Sequence, residues 1–157
     1  MKILKFFTVL GILLEITSCI PPNEQVKTIP LDGEWLSKYP AKFEFTIEDY
    51  QTPKNIIFVI RNNNSYPYSN IRLFTSIYSD KAKNQSKTDT LNYIMAKPNG
   101  EWLGTGFGNT KEMLFLYKSA YQFPKNGKYI IEVKHAMRKN PLIGLDDIGI
   151  KIETLNP

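Results

Sequence analysis

The sequence predicts an all-β protein, a single antiparallel β-sandwich of jelly-roll or Ig-like type with about seven or eight strands. Three observations predict it. Short runs that alternate apolar and polar residues recur along the chain. Clusters of Pro, Asn and Gly separate them. No segment sustains a helical period with caps.

The strands follow in order. Phe43, Phe45 and Ile47 alternate with Glu44, Thr46 and Glu48, so one face of this strand is wet. Ile56-Ile57-Phe58-Val59-Ile60 is apolar on both faces and predicts a central strand, with Phe58 and Ile60 between the sheets. Ile71, Leu73, Thr75 and Ile77 form the next set, followed by Leu91, Tyr93 and Met95 and then by Met113, Phe115 and Tyr117. Tyr129, Ile131 and Val133 come next, and Ile148, Ile150 and Ile152 alternate with Gly149, Lys151 and Glu153 near the end. Asn62-Asn63-Asn64-Ser65, Pro98-Asn99-Gly100 and Pro124-Lys125-Asn126-Gly127 supply turns, since Asn and Gly accept positive φ cheaply.

The N-terminus has a different character. Lys2 and Lys5 precede an apolar stretch of Phe6, Phe7, Val9, Leu10, Ile12, Leu13 and Leu14, and then comes Ile16-Thr17-Ser18-Cys19. This is the layout of a secretory signal peptide, too short for a settled membrane span. Cys19, the only cysteine, resembles the lipobox cysteine of bacterial lipoproteins, whose thiol receives a diacylglycerol before cleavage. Glu15 is unusual so late in the apolar region, but it lies outside the four-residue box. Residues 1–18 are therefore expected to be a leader and Cys19 the lipid-bearing first residue of the mature chain, which would hold it to a membrane. Residues 19–30 contain Pro21, Pro22 and Pro30 among polar neighbours. They cannot form a helix or an inner strand and predict a tether, with the sandwich domain over 31–157. Ile20 follows Cys19, so the aspartate often linked to inner-membrane retention is missing, and no acidic run follows directly. The expected location is the outer membrane, facing the periplasm.

Composition excludes several function classes. With 13% aromatic residues the chain is not disordered, and its length suits one domain. The formal charge is +5, but the basic residues are scattered, densest at Lys81, Lys83 and Lys87. No basic stripe or RNA-binding signature points to nucleic acid. One cysteine excludes an intrachain disulfide and a cysteine-based zinc site. His135 is the only histidine and has no nucleophile-elbow serine to serve. It is expected at a strand end, facing a carbonyl or solvent.

The glycine-rich run from Gly100 through Gly104 and Gly106 to Gly108 lacks the Lys-Ser or Lys-Thr and the helix that a phosphate loop needs, and predicts a long loop or bulged strand. Glu44 and Glu48 are expected to be exposed strand carboxylates rather than a glycosidase pair. Asp146 and Asp147 should point to opposite faces and serve as solvated loop acids rather than calcium ligands. No catalytic residue, metal or cofactor is expected.

Two surface features remain. Tyr66-Pro67-Tyr68, Trp102, Phe107 and Tyr121 either form a ring platform for a glycan or fill the ends of the sandwich. Tyr66, Tyr68 and Trp102 are the candidate ligand or partner surface. Asp89-Thr90-Leu91 resembles a short Asp-Ser/Thr-apolar acceptor of bacterial O-glycosylation, which would place a sugar on Thr90.

Several segments, taken in order, carry a resemblance. They are Phe43-Glu44-Phe45-Thr46-Ile47, Ile60-Arg61-Asn62, Tyr66-Pro67-Tyr68-Ser69-Asn70, Asp89-Thr90-Leu91 and Trp102-Leu103-Gly104 with Gly106 and Gly108. Phe123-Pro124, Gly127-Lys128-Tyr129, His135-Ala136-Met137-Arg138 and Asp147-Ile148-Gly149-Ile150-Lys151-Ile152-Glu153 complete the set. This ordered set resembles the gliding motility lipoprotein family GldH of Bacteroidetes. The resemblance implies a non-enzymatic, lipid-anchored envelope protein needed for gliding. It would act through contacts with other gliding or type IX secretion envelope proteins. A glycan-binding sandwich module is the alternative that the aromatic loops keep open.

Overall fold

The computed structural model describes residues 24–83 and 86–155. Ten strands are present among them: β1 (Glu24–Pro30), β2 (Glu34–Trp35), β3 (Ala41–Ile47), β4 (Lys54–Asn62), β5 (Asn70–Ser79), β6 (Thr88–Ile94), β7 (Lys111–Tyr121), β8 (Gly127–His135), β9 (Leu142–Ile143) and β10 (Leu145–Thr154). They form two four-stranded sheets, ordered β1-β10-β4-β7 and β3-β8-β5-β6, and a two-stranded ribbon of β2 and β9. Every pairing is antiparallel. The described residues are thus all-β, with two antiparallel sheets packed as a sandwich.

Alternation explains the core. Phe43, Phe45 and Ile47 of β3, Ile71 and Leu73 of β5, and Ile131 and Val133 of β8 point inward from one sheet. Ile56, Phe58 and Ile60 of β4 meet them from the other, beside Ile148, Ile150 and Ile152 of β10. The strand expected to be central, β4, has a neighbour on each side, β10 and β7. The seven runs, six alternating and one continuous, fall on the long strands β3 to β8 and β10, with only Glu48 and Met95 lying one residue beyond β3 and β6.

The tether expectation is corrected over its second half. Residues 24–30 form β1, which pairs with β10 from Glu24 opposite Glu153 to Pro30 opposite Asp147. Being an outermost strand, β1 tolerates Pro30, whose missing N–H would break an inner ladder. The ribbon was also not anticipated. Its strands are two residues long, below the reach of any periodicity, yet they bury Trp35 and Leu142.

One end of the sandwich gathers the last residues of β4, β5's start, β6's end, β7's start and β10's start. The loops 63–69, 95–110 and 136–144 lie there. At the opposite end β1 begins, β10 finishes and the loop 48–53 enters β4, where the buried ammonium of Lys54 donates to the carbonyls of Asp49 (2.7 Å) and Thr52 (3.1 Å).

Candidate functional site

The aromatic loops are built from local turns. Asn63 opens the first: its carbonyl accepts from the Tyr66 amide at 3.1 Å and its side-chain oxygen accepts from the Ser65 amide at 2.9 Å. This turns Tyr66 inward, where it is buried and its hydroxyl donates to the Asn70 carbonyl at 2.9 Å. Burial pushes that phenol well above its ordinary pKa, so it stays neutral. Tyr68 meets it edge-on at 6.0 Å and 71°, and Trp102 is tilted against it at 6.2 Å and 53°. The Trp102 indole donates to Asn64 Oδ1 at 3.3 Å.

The structure therefore brings Tyr66, Tyr68 and Trp102 together, but as mutually inclined rings around a buried tyrosine. Tyr66 is buried and so presents no face to a ligand, and each of the other two rings is inclined to it. The other two rings of the predicted group lie apart. Phe107 is fully exposed on the 95–110 loop, and Tyr121 sits at the opposite end, edge-on to Phe123 at 4.9 Å. In the glycine-rich run, Thr105 and Glu112 exchange backbone hydrogen bonds of 2.9 and 2.7 Å, folding the loop back on β7. No helix follows it; the next element is strand β7.

Asp146 is the extra residue of a β-bulge between β10 and β4, and its partners differ from those of Asp147. Its carboxylate accepts from Asn63 Nδ2 (2.6 Å) and Thr110 Oγ1 (2.9 Å), and its carbonyl from the Leu31 amide (2.9 Å). These acids are therefore structural ties and not solvated loop acids. Asp147 faces Arg61 at 3.3 Å, and Arg61 also grips Glu112 at 2.7 Å. Burial raises the Asp147 pKa, with Arg61 pulling the other way. Glu44 pairs with Lys128 at 2.9 Å on an exposed face, and Glu48 lies beyond the end of β3. Among the described residues no three of His, Cys, Asp and Glu gather where a metal could sit.

His135 ends β8 as expected, but it is buried and does not face solvent; the Trp35 backbone and the Asn140 side chain lie beside it. It is 2% exposed, with Trp35 edge-on at 5.4 Å. Neither ring nitrogen makes a well-aligned hydrogen bond among the described residues, so the contacts to the Trp35 backbone and Asn140 are weak. Burial lowers its pKa below 6.5; the Trp35 backbone and the Asn140 side chain oppose this only in part. Below about pH 6.5 an unfolded chain takes up a proton that the folded chain refuses. Stability is therefore expected to fall as pH drops from 6.5 toward the lowered folded pKa, and to be unaffected by this group above about pH 7.5. Denaturation midpoints between pH 8 and 5 should show this slope in the parent and lose it in His135→Gln. Parallel slopes in the two would remove the effect from His135.

Thr90 is exposed on β6, an outermost strand, opposite Phe74 of β5. Its neighbour Asp89 points the other way and accepts from Lys118 Nζ (2.6 Å) and Tyr117 Oη (2.9 Å) of β7. These bonds draw Asp89 below the ordinary carboxylate range. With the Tyr93–Phe115 stack at 4.7 Å, they close the seam between the two sheets. Cys19 and the leader lie outside the described residues, so the lipid attachment point has no geometry here.

Comparison with known proteins agrees with the ordered motifs. A model of the GldH lipoprotein family matches residues 23–152. A gliding motility lipoprotein GldH homolog of Christiangramia forsetii is 42% identical over 127 residues, covering 76% of this chain and 77% of that protein. The gliding motility lipoprotein GldH of Flavobacterium johnsoniae is 32% identical over 126 residues, with 76% and 77% covered. Among solved structures, dimeric latent PorU of Porphyromonas gingivalis aligns with 84% of this chain and 13% of its own, at 9% identity and a TM-score of 0.38. The family match spans every strand from β1 to β9 and most of β10, and the chain belongs to the GldH lipoprotein family.

Proposed function

We propose that this protein is a lipid-anchored component of the cell envelope that serves gliding motility without catalysis, through contacts with other envelope proteins in or near the gliding and secretion machinery. The observation that carries it is the family match over residues 23–152, joined by two relatives whose names specify gliding motility. Lipid on Cys19 is the anchor. The outer membrane, with the domain facing the periplasm, is the proposed location, supported by Ile20 after Cys19 and the missing acidic run. The strand order supports a jelly-roll: setting aside the ribbon and counting the eight long strands in sequence, the sheets run 1-8-3-6 and 2-7-4-5, as two interleaved Greek keys give. Thr90 is a proposed sugar acceptor, supported by the motif and its exposure.

Complementation tests the proposal. In a gliding host whose own copy is deleted, colony spreading should stop, and the full-length chain should restore it. Cys19→Ser should fail to take up a fatty-acid probe, leave the membrane fraction and fail to restore spreading. A Cys19→Ser protein that still labels and stays membrane-bound would refute the anchor.

A further inference from the structure

The two outer faces of the sandwich differ. On the β3-β8-β5-β6 sheet the outward residues are mostly polar, among them Lys42, Glu44, Thr46, Lys128, Glu132 and Lys134, and the exposed Phe74 and Ile94 are scattered between them. On the β1-β10-β4-β7 sheet the register sets two rows side by side, with apolar side chains exposed at the β7 and β1 edges. One runs Val26, Lys151, Ile57, Leu116, and the next runs Thr28, Gly149, Val59, Leu114. Val26, Leu114 and Leu116 are 50%, 56% and 51% exposed. Between the edges the face is closed: Val59 is buried, and Thr28 covers Gly149, where a Cβ would meet Thr28 Cγ2 at 2.7 Å.

The flanks of these rows are acidic. Glu24 and Glu153 lie toward one end, Glu112 and Asp147 toward the other. The cations of the face are already engaged: Lys151 with Glu24 (3.1 Å) and Glu153 (2.6 Å), Arg61 with Glu112 and Asp147. Four carboxylates against two paired cations leave the rim negative.

We infer that this face is the docking surface for a protein partner whose own apolar patch is rimmed by lysine or arginine. The inference rests on the contact-protein function proposed above and names the surface that would make the contact. Exposed apolar side chains, here the adjacent Leu114 and Leu116 with Val26 across the face, inside a polar rim are the form that such interfaces take. Charge selects the occupant. A second copy seated face to face would set carboxylates against carboxylates, and a bilayer would bring lipid phosphates against them. A basic rim is attracted, and it fixes the register of the apolar contact.

The test uses the full-length lipoprotein in cells, with a photo-crosslinking amino acid at position 114 or, as a control, at position 46 on the other sheet's outer face. Position 114 should join to a protein other than this chain, through a peptide that carries Lys or Arg beside apolar residues. Position 46 should not. Glu24→Lys, which leaves Lys151 its bond to Glu153, should reduce the adduct several-fold. A product of twice the chain's mass, a lipid adduct, equal yields from 46 and 114, or indifference to Glu24→Lys would overturn the inference. Separately, Leu114→Asp with Leu116→Asp should abolish spreading at unchanged abundance, melting behaviour and membrane location. If that variant spreads normally where deletion stops spreading, the surface is wrong and the contact function stands. If deletion itself leaves spreading intact, the function fails, and the crosslinks still decide the surface.

Discussion

Phe58→Ala is expected to destabilise the domain by about 3–5 kcal/mol, a large part of the ~5–15 kcal/mol that holds a domain of this kind folded. Phe58 has no solvent-exposed surface and lies on β4, between β10 and β7, with Ile150 and Phe115 as its cross-strand neighbours. Tyr93 meets its ring at 5.8 Å and Tyr117 at 5.4 Å, so both sheets lose contacts when the ring is removed. Neighbours held in two hydrogen-bonded ladders cannot collapse far into the space, and the cavity cost adds to the lost transfer energy. Urea denaturation measures the difference. Phe107→Ala, which removes a fully exposed ring, should stay within about 0.5 kcal/mol of the parent. A Phe58→Ala loss below about 1 kcal/mol would take β4 out of the core.

Gly144→Ala is expected to cost about 2–5 kcal/mol, although only a methyl group is added. Gly144 joins β9 to β10 with φ of 79°. The left-handed region alone costs an L-residue about 1–2 kcal/mol. A Cβ there would also lie 2.5 Å from Tyr66 Cα and 2.6 Å from the Ser65 carbonyl carbon, with the Tyr66 amide nitrogen nearer still. Backbone cannot swing aside as a flexible side chain does, so overpacking adds roughly 1–3 kcal/mol. The displaced segment is the turn that buries Tyr66, and Gly144 itself donates to the Gly33 carbonyl and accepts from the Asn63 amide, each at 2.9 Å. Gly108→Ala is the matched control. Its φ of 62° carries the same kind of strain, but its Cβ would meet nothing within 4 Å, so only about 1–2 kcal/mol is expected. Thermal melting of both variants separates strain from clash: equal shifts would mean that the close approach to Tyr66 does not matter.

Period-two alternation was enough to locate the long inner strands, because burying one face of a sheet requires every second residue to be apolar. The continuous run 56–60 marked the central strand for the same reason. The leader and Cys19 are linear signals, read by order along the chain and needing no fold. The ordered motifs carried the family for the same reason. Other features depend on what the chain meets in three dimensions. Strand β1 is polar, and it exists because the exposed edge of β10 offers it a ladder of hydrogen bonds; Gln25 and Lys27 then reach across to Thr46 and Phe45. His135 looked like any strand-end histidine until Trp35, 100 residues earlier and held by a two-residue ribbon, covered it. The apolar outer face had a signal that went unread: Met113-Leu114-Phe115-Leu116-Tyr117 is apolar on both faces, as in the central strand. In β4 the second face is covered by neighbouring strands on either side. In β7, at the edge of its sheet, Leu114 and Leu116 are left open to solvent. Sequence alone determined which residues seek burial; which of them found it was decided by strand order, since a strand's place in the sheet sets how many neighbours cover it.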